Sequence, residues 1–196
     1  MEKKLPETLA ALATEQAKGR KLRLMFQDEG RFGRLSDPRR CWAPPRTRPA
    51  VRAALVREYT YAYAAISPWD DGLDSLILPE ANTVCMSVFL NEVATRHPHD
   101  FIVMVLDGAG WHRAKALQVP ANMALLPLPP YSPELNPVEN LWGELREKHF
   151  HNRVFDRLDA VENHLCDALA SFEPDRERIH RLAAWPWIIA LNLNAS

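Results

Sequence analysis

The run FIVMVL at residues 101–106 constrains the architecture of this chain more than any other stretch. Six consecutive apolar residues read as a central strand buried on both faces. The run stops at Asp107, which is followed by Gly108, Ala109 and Gly110. In open α/β sheets, ligand and catalytic groups collect at the carboxyl ends of strands. Small neighbours would also let a polymer backbone approach Asp107 closely. The competing reading is an Asp that caps the next helix.

Two further carboxylates stand where an apolar run ends or a helix begins. Asp28 follows Leu22, Leu24, Met25 and Phe26, and Glu139 lies in the first turn of a helix expected from Pro137 to about Phe150. Asp28 is adjacent to Glu29, and either could serve as a ligand, or the two could form an exposed pair. Strand alternation places Asp28 on the face of Leu24 and Phe26, and Glu29 on the face of Met25 and Gln27. Glu139 has a structural rival role. Asn136 as N-cap, Pro137 at N1 and Glu139 at N3 make a capping-box pattern. The stripe Val138, Leu141, Trp142, Leu145 is the expected buried face, with Glu139 on its flank. Three carboxylates from separate elements make a site for hard divalent cations. Two such cations on a phosphodiester can drive in-line phosphoryl transfer.

The remaining elements follow from periodicity. A short helix is expected over 7–18 with Gly19 as its stop, and a strand over 21–28. Residues 34–50, rich in Arg and Pro, read as an irregular basic loop. YTYAYAAIS at 59–67 and the strand at 73–78 flank Asp70, Asp71 and Gly72, so a hairpin is expected. Met86, Phe89, Leu90 and Val93 have helical spacing within 83–96, with Pro98 as the stop. A short strand follows at 123–126, then helices over 157–172 and near 175–184. The apolar tail WPWIIALNL should dock on the core, with Trp185 and Trp187 as anchors. The order predicts an α/β fold, a mixed sheet flanked by helices.

Composition excludes several classes. No apolar stretch approaches the ~20 residues that span a bilayer, so no membrane role is expected. The N-terminus does not read as a secretory signal. Cys41, Cys85 and Cys166 offer neither a zinc spacing nor a disulfide framework, which suits a cytoplasmic protein. The pairs His97/His99 and His149/His151 lack completing ligands and read as surface residues. The net charge of −1 conceals an uneven distribution. Between Lys18 and Arg57 there are 12 basic and 3 acidic residues. Such a segment suits a polyanion, with Arg31, Arg39, Arg40, Arg46 and Arg48 as candidate phosphate contacts. A solvated loop face is the plain alternative.

The motifs FQDEGRFG, VMVLDGAGWH and especially LPPYSPELNPVENLW resemble, in that order, the catalytic domain of DDE-type insertion-sequence transposases of the mariner-related branch. The resemblance covers roughly residues 22–155. It implies a ribonuclease H-like fold, with Asp28, Asp107 and Glu139 as catalytic and metal-holding residues. It further implies two Mg²⁺ ions (Mn²⁺ may substitute) and cutting and strand transfer on double-stranded DNA, as a dimer when assembled. It sets out a lead-in at 1–20, the catalytic domain at 21–155 and packed C-terminal helices at 156–196. Gly108 departs from the Asn common in relatives, and the 31 residues between Asp107 and Glu139 are fewer than in many. His112 matches a His found in relatives, where it would contact phosphate or orient a carboxylate; a structural His is the alternative. Relatives carry helix-turn-helix modules ahead of this domain, and a fused or separate one is expected as a partner here. A DNA-binding remnant and a ribonuclease H-like repair nuclease are the other readings.

Overall fold

The computed structural model describes residues 5–34, 42–47 and 57–191. Five strands form one mixed sheet: β1 (Lys21–Gly33), β2 (Tyr59–Ser67), β3 (Gly72–Leu78), β4 (Asp100–Leu106) and β5 (Met123–Pro127). Their spatial order is β3-β2-β1-β4-β5. β2 and β3 form the expected antiparallel hairpin, and β1 pairs antiparallel with β2. β4 is parallel to both β1 and β5. The apolar run of β4 therefore lies between two parallel neighbours, and its residues from Phe101 to Leu106 are all buried.

Helices cover both faces. α1 (Leu5–Glu15) is followed by Gly19, whose φ of +80° turns the chain into β1. α2 (Thr83–Arg96) packs its Met86, Phe89, Leu90 and Val93 stripe against Met25, Ile102 and Met104 on one face. Asn82 starts it by accepting from the Cys85 N–H. The opposite face, lined by Leu24, Phe26, Val103 and Val105, takes α3 (Val138–Lys148), α4 (Leu158–Phe172), α5 (Arg176–Ala183) and the short α6 (Pro186–Ile189). Each large apolar side chain buried there contributes about 1.5–3 kcal/mol. Trp187 meets the edge of Phe26 at 6.4 Å, and Trp69 donates to the Ile188 carbonyl, so the described part of the apolar tail, to residue 191, docks as expected.

Two expectations need correction. β1 does not end at Asp28: it runs on to Gly33, paired with β2 as far as Gly33↔Tyr59. The apolar run stops at Phe26 because β4 stops pairing there, at Phe26↔Val105. Beyond that point β1 pairs with β2 alone, and its side chains turn polar, although Gln27 is itself fully buried. His99 is exposed as expected, but one member of each histidine pair is not a simple surface residue. His97 Nε2 lies 2.7 Å from Asp74, and the His149 ring packs 6.0 Å from Phe172. Among the described residues no group of three His, Cys, Asp or Glu is arranged to hold a metal ion as it stands. Likewise among the described residues, no helix is long and apolar enough to cross a membrane.

Candidate active site

The two central strands carry the first two acids to one end of the sheet. Asp28 lies two residues past the last β1–β4 pair, and Asp107 one residue past β4. Alternation holds along β1. Leu24 and Phe26 belong to the core under α3, and Met25 to the core under α2. Asp28 accordingly faces α3, where Trp142 Nε1 donates to its Oδ2 at 2.9 Å. Trp142 is fully buried and fits only because Gly30 lacks a side chain. A Cβ at Gly30 would stand 2.9 Å from the indole.

The third acid comes from α3. Asn136 is extended and Pro137 already has helical angles, φ −65° and ψ −17°. The Asn136 side chain works in two directions. Its Oδ1 accepts from the Val138 N–H at 3.2 Å, and its Nδ2 donates to the Gln27 carbonyl at 2.9 Å. The first bond starts the helix. The second fastens that start to β1, one residue before Asp28. The capping box is thus half made. The Asn136 N–H donates to the Pro133 carbonyl, and Glu139 lines the cleft.

Asp28, Asp107 and Glu139 line one cleft of about 480 Å³, walled by Gly108 and the loop from Leu128 to Asn136. Burial first, and then the charge of Glu139, push the Asp28 carboxyl up to about 7, against the lowering effect of the Trp142 bond. A carboxylate with a carboxylate neighbour in a desolvated place resists ionisation. Asp107 is more exposed. Its Oδ1 accepts from the Ala109 N–H at 2.9 Å, a turn two residues long, and the short 3-10 helix Gly110–Arg113 starts at Ala109 without a side-chain cap, so Asp107 does not cap it.

Glu29 points to the other face and does not line the cleft. His112 bridges it to Asp107: Nε2 is 2.9 Å from Glu29 Oε1, and Nδ1 is 2.9 Å from Asp107 Oδ1. Trp111 Nε1 also donates to Glu29, at 3.3 Å. Burial alone would lower the His112 pKa. The bonds to Asp107 and Glu29 outweigh burial and raise it to about 10. His112 is therefore an imidazolium at neutral pH, donating from both nitrogens. The acidic doublet thus divides its work: Asp28 faces the cleft, and Glu29 anchors a cation behind Asp107.

Of the basic candidates, two lie among the described residues. Arg31 lies over the Tyr59 ring at 4.7 Å, Arg46 is exposed, and neither lines the cleft. Arg39, Arg40 and Arg48 lie outside the described residues. Part of the local positive charge is spent inside the fold. Arg23 pairs with Asp70 and Asp100, and Arg34 with Glu58. Sequence reasoning missed Asn136 and Trp142 as partners of β1. Both contacts join residues more than 100 apart in the chain, and local sequence carries no signal for them.

The chain belongs to the DDE superfamily endonuclease family, whose model matches residues 23–162. It is accordingly an enzyme of the nuclease/transposase class. It is 40% identical over 112 residues to the uncharacterized protein y4pE/y4sA of Sinorhizobium fredii (strain NBRC 101917 / NGR234), covering 56% of this chain and 82% of that one. The fold is ribonuclease H-like and similar to that of the Mos1 transposase paired-end complex with left transposon end. The TM-score is 0.64 at 17% identity, over 98% of this chain and 61% of that one. The Mos1 strand transfer complex overlays with a TM-score of 0.62 at 18% identity, over 97% and 60%. The chain therefore spans about three fifths of the Mos1 chains it matches.

Proposed function

We propose that this chain is the catalytic domain of a mariner-related insertion-sequence transposase, cutting DNA at element ends and joining it to a target. The observation that carries the reading is the one cleft that Asp28, Asp107 and Glu139 line from three separate elements. Similarity to Mos1 complexes described with transposon-end DNA supports a DNA substrate. Double-stranded DNA, a dimer assembled on it and a helix-turn-helix partner belong to the same proposal.

The donor set fits a hard divalent cation. All three groups are carboxylates, and the charge of Glu139 raises the Asp28 pKa, a repulsion that a cation would relieve. Asp28, Asp107 and Glu139 would hold Mg²⁺, or Mn²⁺ in its place, as two ions; Mos1 paired-end complexes are described with each metal. Such ions supply a nucleophile of lowered pKa and neutralise charge on the attacking and leaving oxygens.

The protein's own part is positioning. Trp142 holds one oxygen of Asp28, and His112 one oxygen of Asp107. Asn136 fixes the turn that presents Glu139. Such fixed placement matters because an ångström of misplacement can cost about a hundredfold in rate. The exposed flank of Asp107 and the small residues after it leave the cleft open to a phosphate backbone.

Nicking of supercoiled plasmid tests the reading, with the parent chain and Glu139→Ala compared in Mg²⁺, Mn²⁺ and chelator. The parent should nick only with metal, and the variant should lose at least about a hundredfold. A parent that binds DNA without nicking in either metal would overturn the catalytic reading in favour of a DNA-binding remnant.

A further inference from the structure

The loop that walls the cleft carries one side chain for which the acid chemistry has no use. Tyr131 is wholly exposed, at 101%, and it lines the cleft beside the three acids. Its φ is +56°, a left-handed conformation that a side chain makes costly. Strain of this kind persists where the surroundings enforce it. Pro129, Pro130 and Pro133 restrict the loop around Tyr131. The loop is also pinned at both ends. The Leu128 N–H donates to the Leu106 carbonyl at 2.7 Å, and Asn136 Nδ2 to the Gln27 carbonyl at 2.9 Å. Those carbonyls belong to the residues immediately before Asp107 and Asp28. The crest of the loop is therefore referenced to the same two backbone points that place the acids.

Nothing in the core uses the ring. A large apolar face held in water on a stiff, strained arm gains nothing for folding. Beside a phosphate-cutting cleft, the partner such a face fits is a nucleobase, since every base presents a π-face. The loop carries a single carboxylate, Glu134, and no basic residue, so it offers a base surface rather than a phosphate clamp.

We propose that Tyr131 is a DNA-contacting residue whose ring stacks on a nucleobase flanking the phosphate in the acid cleft, holding that base out of the helical stack. The proposal rests on the nuclease reading above and assigns the strand-gripping element of that same site. Stacking is tolerant of sequence, so the contact positions the strand without selecting it.

The test uses a short duplex with an unpaired end carrying 2-aminopurine at the junction, and a fully paired duplex as control, both in chelator. Parent and Tyr131→Phe should quench the fluorescence and bind the unpaired end alike. Tyr131→Ala and Tyr131→Gly should bind that end roughly 10- to 100-fold more weakly, without quenching, the weight of one stacked base. Because glycine accepts the left-handed conformation, Tyr131→Gly should melt no lower than the parent, which separates the lost contact from lost folding. Tyr131→Ala binding and quenching like the parent would overturn the proposal and leave the nuclease reading standing. So would Tyr131→Phe losing as much as Tyr131→Ala. A parent that neither binds either duplex nor nicks plasmid would overturn the nuclease reading and this proposal together.

Discussion

Asp28→Asn keeps the outline of the side chain and removes its charge. In the fold the Asp28 carboxyl is moved from 3.8 to about 7. The ionised form is thus disfavoured by about 4 kcal/mol relative to the unfolded chain. The folded pKa is raised, so the parent has its full stability below about pH 4. It loses stability as pH rises through the window to about 7, and the loss levels off above that. Roughly 3 kcal/mol of the loss develops between about pH 5 and about pH 8. The Asn variant has no such loss. At about 2–4 °C per kcal/mol for a chain of this size, the Tm advantage of the variant should widen by up to about 6–12 °C between those pH values. This is an upper figure, because the Trp142 N–H bonds a charged oxygen more strongly than an amide oxygen. Thermal melts followed by circular dichroism in chelator provide the assay. Added Mg²⁺ should then raise the parent's Tm at about pH 8 and leave the variant nearly unmoved. A Tm difference of the same size at both pH values would refute the argument that burial and Glu139 oppose the Asp28 charge.

Trp142→Phe keeps ring packing against Phe32 and deletes the donor to Asp28; loss of that bond should cost about 1–3 kcal/mol by melting and push the Asp28 titration still higher. Glu29→Gln should lower the His112 pKa from about 10, as read by imidazole NMR. The stability that His112 contributes is full below its ordinary 6.5 and is lost as pH rises through about 10, so the variant should lose it at lower pH. Neutralising Arg39, Arg40, Arg46 and Arg48 together should flatten the slope of log K against log salt for DNA binding by up to about 3–4, and an unchanged slope would place these arginines away from DNA.

Much of this fold is legible where one face or both faces of an element are buried. The helix over 83–96 is found at the expected residues because its stripe meets the sheet squarely and Asn82 caps it. β4 is legible because both faces are covered. β1 was read short because an apolar run records burial, whereas hydrogen bonding to β2 continues for five residues past Asp28. Alternation puts Asp28 and Glu29 on opposite faces and the family resemblance favours Asp28; the two do face opposite layers. What each then touches depends on residues far along the chain: Trp142 for Asp28, and His112 and Trp111 for Glu29. Local spacing carries no information about such pairings. The Asn136 bond to Gln27 was invisible for the same reason, although its capping bond was readable from the Asn-Pro pair.

The central claim is that Asp28, Asp107 and Glu139 act as one cation-holding set. Anomalous scattering from crystals of the chain grown with Mn²⁺ and a nicked duplex tests it most directly. Two peaks should stand roughly 3.5–4 Å apart in the cleft, with oxygens of all three carboxylates at roughly 2.1 Å from one or the other. Peaks outside the cleft, or peaks within it that Glu139 does not reach, would contradict the account.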